Sequence, residues 1–152
     1  MQKNINTNKP LIVPKTLPFG YTRNQNTNEI EINTKESEVI KIIFEMYKND
    51  YGLYQIYFFL QSRGYKTRSN IDFKISTISH LLNNEAFIGN YVYNKNNIII
   101  VDGKKKRVKV PEEKWIKVEN IFPPIIDVDT FNKVKEIKAY WNFIIKGDGI
   151  NE

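Results

Sequence analysis

The side chains best suited to chemistry in this sequence are cationic, and they are concentrated in one stretch. Between residues 61 and 110 there are ten Lys and Arg against three Asp and Glu, and the net charge of the whole chain is +6. Such a cationic segment favours contact with a polyanion, whose phosphates it would bind with salt-sensitive affinity. The alternative is a solvated, lysine-rich surface. The predicted phosphate contacts are Arg23, Lys66, Arg68, Lys74, Lys104, Lys105, Lys106 and Arg107.

A second group of polar side chains lies on a short predicted helix that runs from Thr77 to about Asn83, with Ser76 as its N-cap. Its apolar residues recur at helical spacing and predict an inward stripe of Ile78, Leu81 and Leu82. Hydroxyl, imidazole and amide groups on the other side can hydrogen-bond to base edges in a major groove. The candidate base contacts are Thr77, Ser79, His80 and Asn83. His80 is equally compatible with a solvated surface position.

Several other classes of site are disfavoured. The chain has no cysteine, which excludes disulfides, thiolate zinc sites and cysteine nucleophiles within these residues. With His80 as the only histidine, a multi-histidine metal site or a serine–histidine triad is not expected. The acidic pairs Glu112-Glu113 and Asp127/Asp129 are typical of turns and helix starts, where they complement the helix dipole. We therefore expect no cofactor and no metal.

The elements before the cationic stretch are mainly helical. A short hairpin is predicted near Gly20–Arg23 and Glu29–Ile32. Asn33 is placed to cap a helix that ends near Asp50, with Glu36 as the capping-box partner and an apolar face from Val39 to Tyr47. A second helix is predicted from Leu53 to Arg63, with Gly64 as its left-handed C-cap and a basic connector after it.

The second half of the chain changes to β-rich runs. Phe87–Tyr93, Ile98–Val101 and the segment around Trp115 to Val118 read as strands, and Asp102-Gly103 is a hairpin signal. Asp127 or Asp129 could cap a last helix with a face of Phe131, Val134, Ile137, Lys138 and Trp141. The predicted fold is α+β: a helical bundle with a helix-turn-helix-like element, plus a small, mostly antiparallel sheet.

The boundaries of the domain follow from composition. Residues 1–17, which carry Pro10 and Pro14, predict a flexible arm or linker, 18–146 the domain, and 147–152 a frayed tail. No apolar run approaches the length of a membrane helix, and Met1 to Pro10 lacks the apolar core of a signal peptide. We expect a cytoplasmic protein that does not engage a membrane.

Several segments, in this order, resemble the recombinase domain of large serine recombinases, the family of phage integrases and transposon resolvases. They are Pro18-Phe19-Gly20-Tyr21-Thr22-Arg23, Arg63-Gly64 with Thr67, the run from Ser76 to Gly89, Trp115-Ile116-Lys117-Val118, and Pro124-Ile125-Ile126-Asp127 with Phe131. The resemblance covers about residues 18–138. The sequence departs from the family pattern at Glu85, where proline is common, and at Phe122, where histidine often precedes the proline.

The resemblance implies a domain that recognises part of an attachment-site half-site in double-stranded DNA and positions a catalytic domain located elsewhere on the intact recombinase. Tyr21-Thr22-Arg23-Asn24-Gln25 is similar to the Tyr-x-Arg-x-Ser segment that opens the family's catalytic domain, but Gln25 stands where the nucleophilic serine would be. No catalytic residue is therefore assigned, and the isolated domain is expected to be monomeric. The alternatives are a winged-helix-like transcription regulator and a protein-interaction module with an incidental basic face.

Overall fold

The helices and strands follow one another in the order that the sequence predicts. The computed structural model describes residues 16–146, so the predicted arm before Thr16 and the predicted frayed tail lie outside the described residues. The helices are α1 (Thr34–Lys48), α2 (Leu53–Ser62), α3 (Ile75–Leu82) and α4 (Val128–Lys146). The strands are β1 (Tyr21–Arg23), β2 (Ile30–Ile32), β3 (Tyr91–Tyr93), β4 (Asn96–Val101), β5 (Lys104–Lys109) and β6 (Ile116–Val118). The predicted α+β class is confirmed.

The strands form three antiparallel pairs, β1–β2, β3–β6 and β4–β5, within the described part of the chain. The antiparallel pairing was predicted, but it is divided among three separate two-stranded units. Asp102 and Gly103 join β4 to β5, and their φ angles of 53° and 78° are those that a two-residue hairpin turn requires. We call the β4–β5 pair, Asn96–Val101 with Lys104–Lys109, the ribbon.

The core is built on one face of α1. Phe44 is almost fully buried, and its ring lies 5.9 Å from the ring of Phe87 and 5.9 Å from that of Phe131. α2 adds Ile56 and Leu60, α3 adds Ile78 and Leu82, and α4 adds Val134. Leu17, which the sequence analysis assigned to the arm, is also buried in this core.

The helix starts follow the prediction at α1 and α4 and depart from it at α3. The side chain of Asn33 caps α1 by accepting from the backbone N–H of Glu36 at 3.1 Å. Asp127, rather than Asp129, caps α4 by accepting from the backbone N–H of Thr130 at 2.7 Å. α3 begins two residues earlier than predicted, with Lys74 at the N-cap position. The N-cap assignment of Ser76 was therefore wrong, and Ser76 lies within the helix.

Two further predictions were wrong, one about secondary structure and one about burial. The first part of the predicted strand Phe87–Tyr93 is a 3-10 turn, Glu85–Ile88, which ends at Gly89 with φ 104°. The carbonyl oxygen of Phe87 then accepts from the backbone N–H groups of Ile125 and Ile126, so it serves the segment before α4 instead of a strand partner. Trp141 is 50% exposed rather than inward, because α4 continues beyond the residues that it buries.

Among residues 16–146, no helix combines the length and apolar character needed to cross a bilayer. The same range contains no group of three or more His, Asp or Glu side chains placed to hold a metal ion.

Candidate nucleic-acid interface

The outward face of α3 and its C-cap residue, Asn83, provide two of the four predicted base contacts. Ile78 and Leu82 are fully buried, whereas His80 and Asn83 are exposed. Ser76 is exposed too, and positions i, i+4 and i+7 share one side of a helix. Ser76 was missed as a candidate because it was assigned to the N-cap. Its helical spacing from His80 and Asn83 was the signal that could have identified it.

The other two predicted base contacts face neighbouring elements. Thr77 is half-buried and lines a cleft together with Phe19 and Phe73. Ser79 is also half-buried, and its hydroxyl accepts a hydrogen bond from the ammonium group of Lys138 on α4. The face of α3 that is open to a ligand is therefore narrower than the sequence predicts.

The face with His80 and Asn83 opens onto a cleft of about 390 Å³ that is lined by both polar and apolar residues. Thr16 and Pro18 form part of its lining, and Lys95, between β3 and β4, contributes a cation. A neighbouring cleft shares Lys95 with the first one and is also lined by Arg107. The clefts place the exposed residues of α3 on a surface that continues to the ribbon.

The ribbon carries the densest positive charge. Lys104, Lys105, Lys106 and Arg107 are all exposed on β5. They stand opposite Val101, Ile100, Ile99 and Ile98 of β4 in that order, and these four residues are also exposed. The ribbon therefore presents cations along one strand and apolar side chains along the other.

The base of the ribbon is fixed by Trp115. Its indole N–H donates to the carbonyl oxygen of Val110 at 2.8 Å, and the backbone N–H of Val110 donates to the carbonyl oxygen of Lys95 at 2.9 Å. The ammonium of Lys95 lies 5.0 Å from the centre of the Trp115 ring, within cation–π range. These contacts hold Lys95 at the junction of the two clefts.

The remaining predicted phosphate contacts lie on the connector and on the first hairpin. Lys74 is exposed at the start of α3. Lys66 forms an ion pair with Asp72, and hydrogen bonding from Lys66 lowers the pKa of that carboxyl group. The guanidinium of Arg23 donates to the carbonyl oxygen of Asn28 at 2.9 Å. Lys66 and Arg23 thus have partners within the domain and remain at its surface.

Arg68 has a different environment, because all three of its nitrogen atoms donate hydrogen bonds within the protein. Nε and Nη2 bind the two carboxylate oxygens of Glu36 at 3.0 Å and 2.7 Å. Nη1 donates to the carbonyl oxygen of Leu17 at 2.8 Å, and Nη2 also lies 3.0 Å from the carbonyl oxygens of Pro18 and Tyr21. The guanidinium therefore faces residues 17–21, the segment that leads into β1.

Glu36 completes this network. One of its oxygens accepts from the backbone N–H of Gly20 at 2.8 Å, so its carboxylate is turned away from Asn33. The predicted capping-box role of Glu36 was therefore wrong. Burial disfavours the charged form, but hydrogen bonds from Arg68 and Gly20 and the positive charge of Arg68 outweigh it and lower the pKa of Glu36.

The Tyr-x-Arg segment is structural in this chain. Tyr21 is buried, and its hydroxyl lies 2.8 Å from the carbonyl oxygen of Ala86 and 2.7 Å from that of Pro123, so one proton serves two acceptors. Burial raises the pKa of Tyr21, which keeps the hydroxyl protonated. Gln25 is exposed in the turn between β1 and β2.

Two solved structures have a similar fold. The crystal structure of an LSR–DNA complex has a TM-score of 0.58 and 20% identity, and the match covers 93% of this chain and 37% of that one. A structure from work on the sequence requirements of the Listeria innocua prophage attP site has a TM-score of 0.59 and 19% identity, with 91% and 50% covered. This chain thus spans at most half the length of either structure.

A family model described as Recombinase matches residues 34–139, from the start of α1 to the middle of α4. The match includes α3, the whole ribbon, and Lys95 and Arg107, the cationic residues of the two clefts. Since it covers most of the sequence, the chain belongs to the Recombinase family.

Proposed function

We propose that this chain binds duplex DNA as the recognition domain of a large serine site-specific recombinase and contacts part of an attachment-site half-site. The observation that carries the proposal is the surface that runs from His80 and Asn83 on α3, past Lys95, to Arg107 on the ribbon. A short exposed helix beside a cationic hairpin fits a major groove and its flanking phosphates. One of the similar structures is an LSR–DNA complex, and the other concerns a prophage attP site.

In this mechanism α3 lies in the major groove. His80 and Asn83 reach base edges directly, and Ser76 joins them from the same side of the helix. Thr77 and Ser79 contact neighbouring residues of the domain. They determine how deeply α3 enters the major groove. The ribbon cations, with Lys74 and the surface cations Lys66 and Arg23, hold phosphates and fix the register.

The role of the domain is to position other parts of a recombinase. Sequence recognition at the half-site would place a catalytic domain, located elsewhere on the intact protein, over the crossover site. No covalent chemistry is assigned to this domain, which we propose acts in the cytoplasm and is monomeric when isolated. A winged-helix-like regulator would instead form a dimer on a palindrome, so sedimentation with a short duplex separates the two functions.

The experiment is a salt titration of binding to random duplex DNA by fluorescence anisotropy. Replacing Lys104, Lys105, Lys106 and Arg107 together by Ala should weaken binding and flatten the plot of log K against log salt by up to about 3.6 units, since each phosphate contact contributes about 0.9. Lys133→Ala, on the exposed side of α4, removes one cation away from the ribbon and should change the slope by less than about 0.3, compared with about 0.9 for each ribbon cation.

Two results would count against the proposal. Absence of binding to random duplex at about 50 mM salt would favour a protein-interaction module with an incidental basic face. An unchanged slope in the ribbon variant would show that the ribbon does not contact phosphate.

A further inference from the structure

We infer that Arg68 and Glu36 form a clamp that fixes the N-terminal segment, residues 16–21, against α3, so that the segment and the helix meet DNA as one rigid surface. Arg68 is then a positioning residue and does not itself contact phosphate. The inference adds to the proposed function, and the role of the clamp in DNA binding rests on that function. The clamp itself is testable without DNA.

The hydrogen bonds of Arg68 show what the clamp holds. Three carbonyl oxygens of one short stretch, those of Leu17, Pro18 and Tyr21, converge on two nitrogens of the guanidinium. A planar fork with five N–H donors can serve these oxygens and a carboxylate at once, whereas an ammonium group cannot match this geometry. The arrangement is specific to arginine.

Glu36 ties the same stretch to α1. Its carboxylate binds the guanidinium through both oxygens and also accepts from the backbone N–H of Gly20. The side chain of Glu36 is only 14% exposed, compared with 43% for Arg68, so the carboxylate is the more buried partner of the ion pair. The segment is therefore held from both sides, by its carbonyl oxygens and by an N–H group.

The position of the clamp links it to α3. Arg68 lies in the connector that leads into α3, and it lines the same cleft as Phe19 and Thr77. Thr16 and Pro18 line the same cleft as His80 and Asn83. The clamped segment and the outward face of α3 therefore form two walls of the same cleft. The clamp sets the distance between these walls.

The test uses spin labels, because the chain has no cysteine and two introduced thiols can be labelled cleanly. Thr16→Cys places one label on the segment. Lys133→Cys places the other on α4, which the hydrogen bond from Lys138 to Ser79 joins to α3. Electron–electron double resonance then measures the distribution of distances between them in the free domain. Far-UV circular dichroism establishes that each variant is folded at the temperature from which the sample is frozen.

We expect a narrow distribution in the parent and one at least about twofold wider in Arg68→Ala, Arg68→Lys and Glu36→Gln. Lys66→Ala, which removes a cation from the same connector, should match the parent. The two conservative variants keep the test decisive if Arg68→Ala does not fold. Narrow distributions in both Arg68→Lys and Glu36→Gln would overturn the clamp.

DNA binding gives a second readout that separates positioning from direct contact. A positioning role predicts that Glu36→Gln and Arg68→Lys both weaken binding to a duplex site selected from a randomised library with the parent domain, roughly 3–10-fold, with the salt slope unchanged. A direct phosphate contact predicts the opposite: Arg68→Lys would retain binding, and Glu36→Gln would strengthen it by releasing the guanidinium. The distance measurement stands even if the domain binds no DNA.

Discussion

Lys138 on α4 donates a hydrogen bond from its ammonium group to the hydroxyl of Ser79 on α3, with 2.8 Å between the two atoms. The same ammonium lies 3.4 Å from the carbonyl oxygen of Ser79. This contact joins the last helix to the helix that carries His80. Burial lowers the pKa of Lys138, because it makes the positive charge of the ammonium group more costly in the folded domain.

Replacing Lys138 by Met should therefore stabilise the free domain at neutral pH by up to about 0.5 kcal/mol, or roughly 2 °C in Tm. A lysine whose pKa is lowered by folding destabilises the folded state while it is protonated. That effect disappears as the pH rises from the folded-state pKa to the ordinary value near 10.5. Thermal unfolding of parent and variant across this range should show the difference vanish at high pH.

The Ser79 hydroxyl supplies a control for the same contact. Ser79→Ala should destabilise the parent by about 1 kcal/mol, because the ammonium then loses its hydroxyl acceptor. In the Lys138→Met background the same change should have almost no effect, so a double-mutant cycle isolates the pair. Additive losses in the cycle would show that Ser79 does not stabilise Lys138.

His80→Ala should change which sequences the domain prefers. His80 is exposed on α3, and a lost base contact typically reduces discrimination by 1–3 kcal/mol, about 5–150-fold at the affected position. Selection from a randomised duplex library, sequenced for parent and variant, measures this directly. A uniform loss of affinity across all sequences, without a change of preference, would place His80 outside the base-reading set.

Tyr21→Phe should lower the stability of the domain by about 1–2 kcal/mol, since it leaves the carbonyl oxygens of Ala86 and Pro123 without their shared donor. Chemical denaturation at neutral pH gives the free energy of unfolding. Tyr54→Phe removes a hydroxyl from a residue that is 67% exposed and should stay within about 0.5 kcal/mol of the parent. Equal losses in both variants would contradict the bridging role of Tyr21.

Glu85 makes the domain sensitive to acid. Burial disfavours its charge, but hydrogen bonds from Asn90 and Lys117 and the charge of Lys117 prevail and lower its pKa. A carboxyl group whose pKa is lowered stabilises the fold above its ordinary value of 4.5, and this contribution is lost as the pH falls through the folded-state pKa.

Glu85→Gln should therefore be less stable than the parent at pH 7, and the gap should narrow as the pH falls below 4.5. Denaturant midpoints measured from pH 7 down to pH 3 give both values. Glu113→Gln, at an exposed position, is the matched loss of one carboxylate and should follow the parent at every pH. A gap for Glu85→Gln that persists unchanged at pH 3 would exclude titration of Glu85 as its cause.

The parts of the fold that could be predicted are those that short stretches of sequence determine. The apolar spacing from Val39 to Tyr47 lies within one helix, and the Asp102-Gly103 turn requires only its own two φ angles. The start of α3 was misplaced because the burial of Phe73, at 3% exposure, fixes the chain just before Lys74. Tertiary packing there prevailed over the capping preference of Ser76.

The candidate site shows the same division. The exposure of His80 and Asn83 follows from helical spacing, and the sequence predicts both. The contact between Arg68 and Glu36 joins residues 32 apart, and those of Arg68 with Leu17, Pro18 and Tyr21 span 47 to 51 residues. No local pattern encodes such a contact, so the sequence presented Arg68 only as one cation in a cationic connector.

The two strands of the ribbon differ in how readily they would join another strand. β5 carries lysines that repel a second ribbon, whereas Ile98 and Ile100 on β4 are 60% and 71% exposed, and within residues 16–146 neither strand pairs with a third one. At about 1 M salt the Debye length shrinks to roughly 3 Å and this repulsion fades. High salt, which removes nucleic acid from the purified domain, should therefore also favour its precipitation. Moderate ionic strength with a short duplex present should keep the domain in solution.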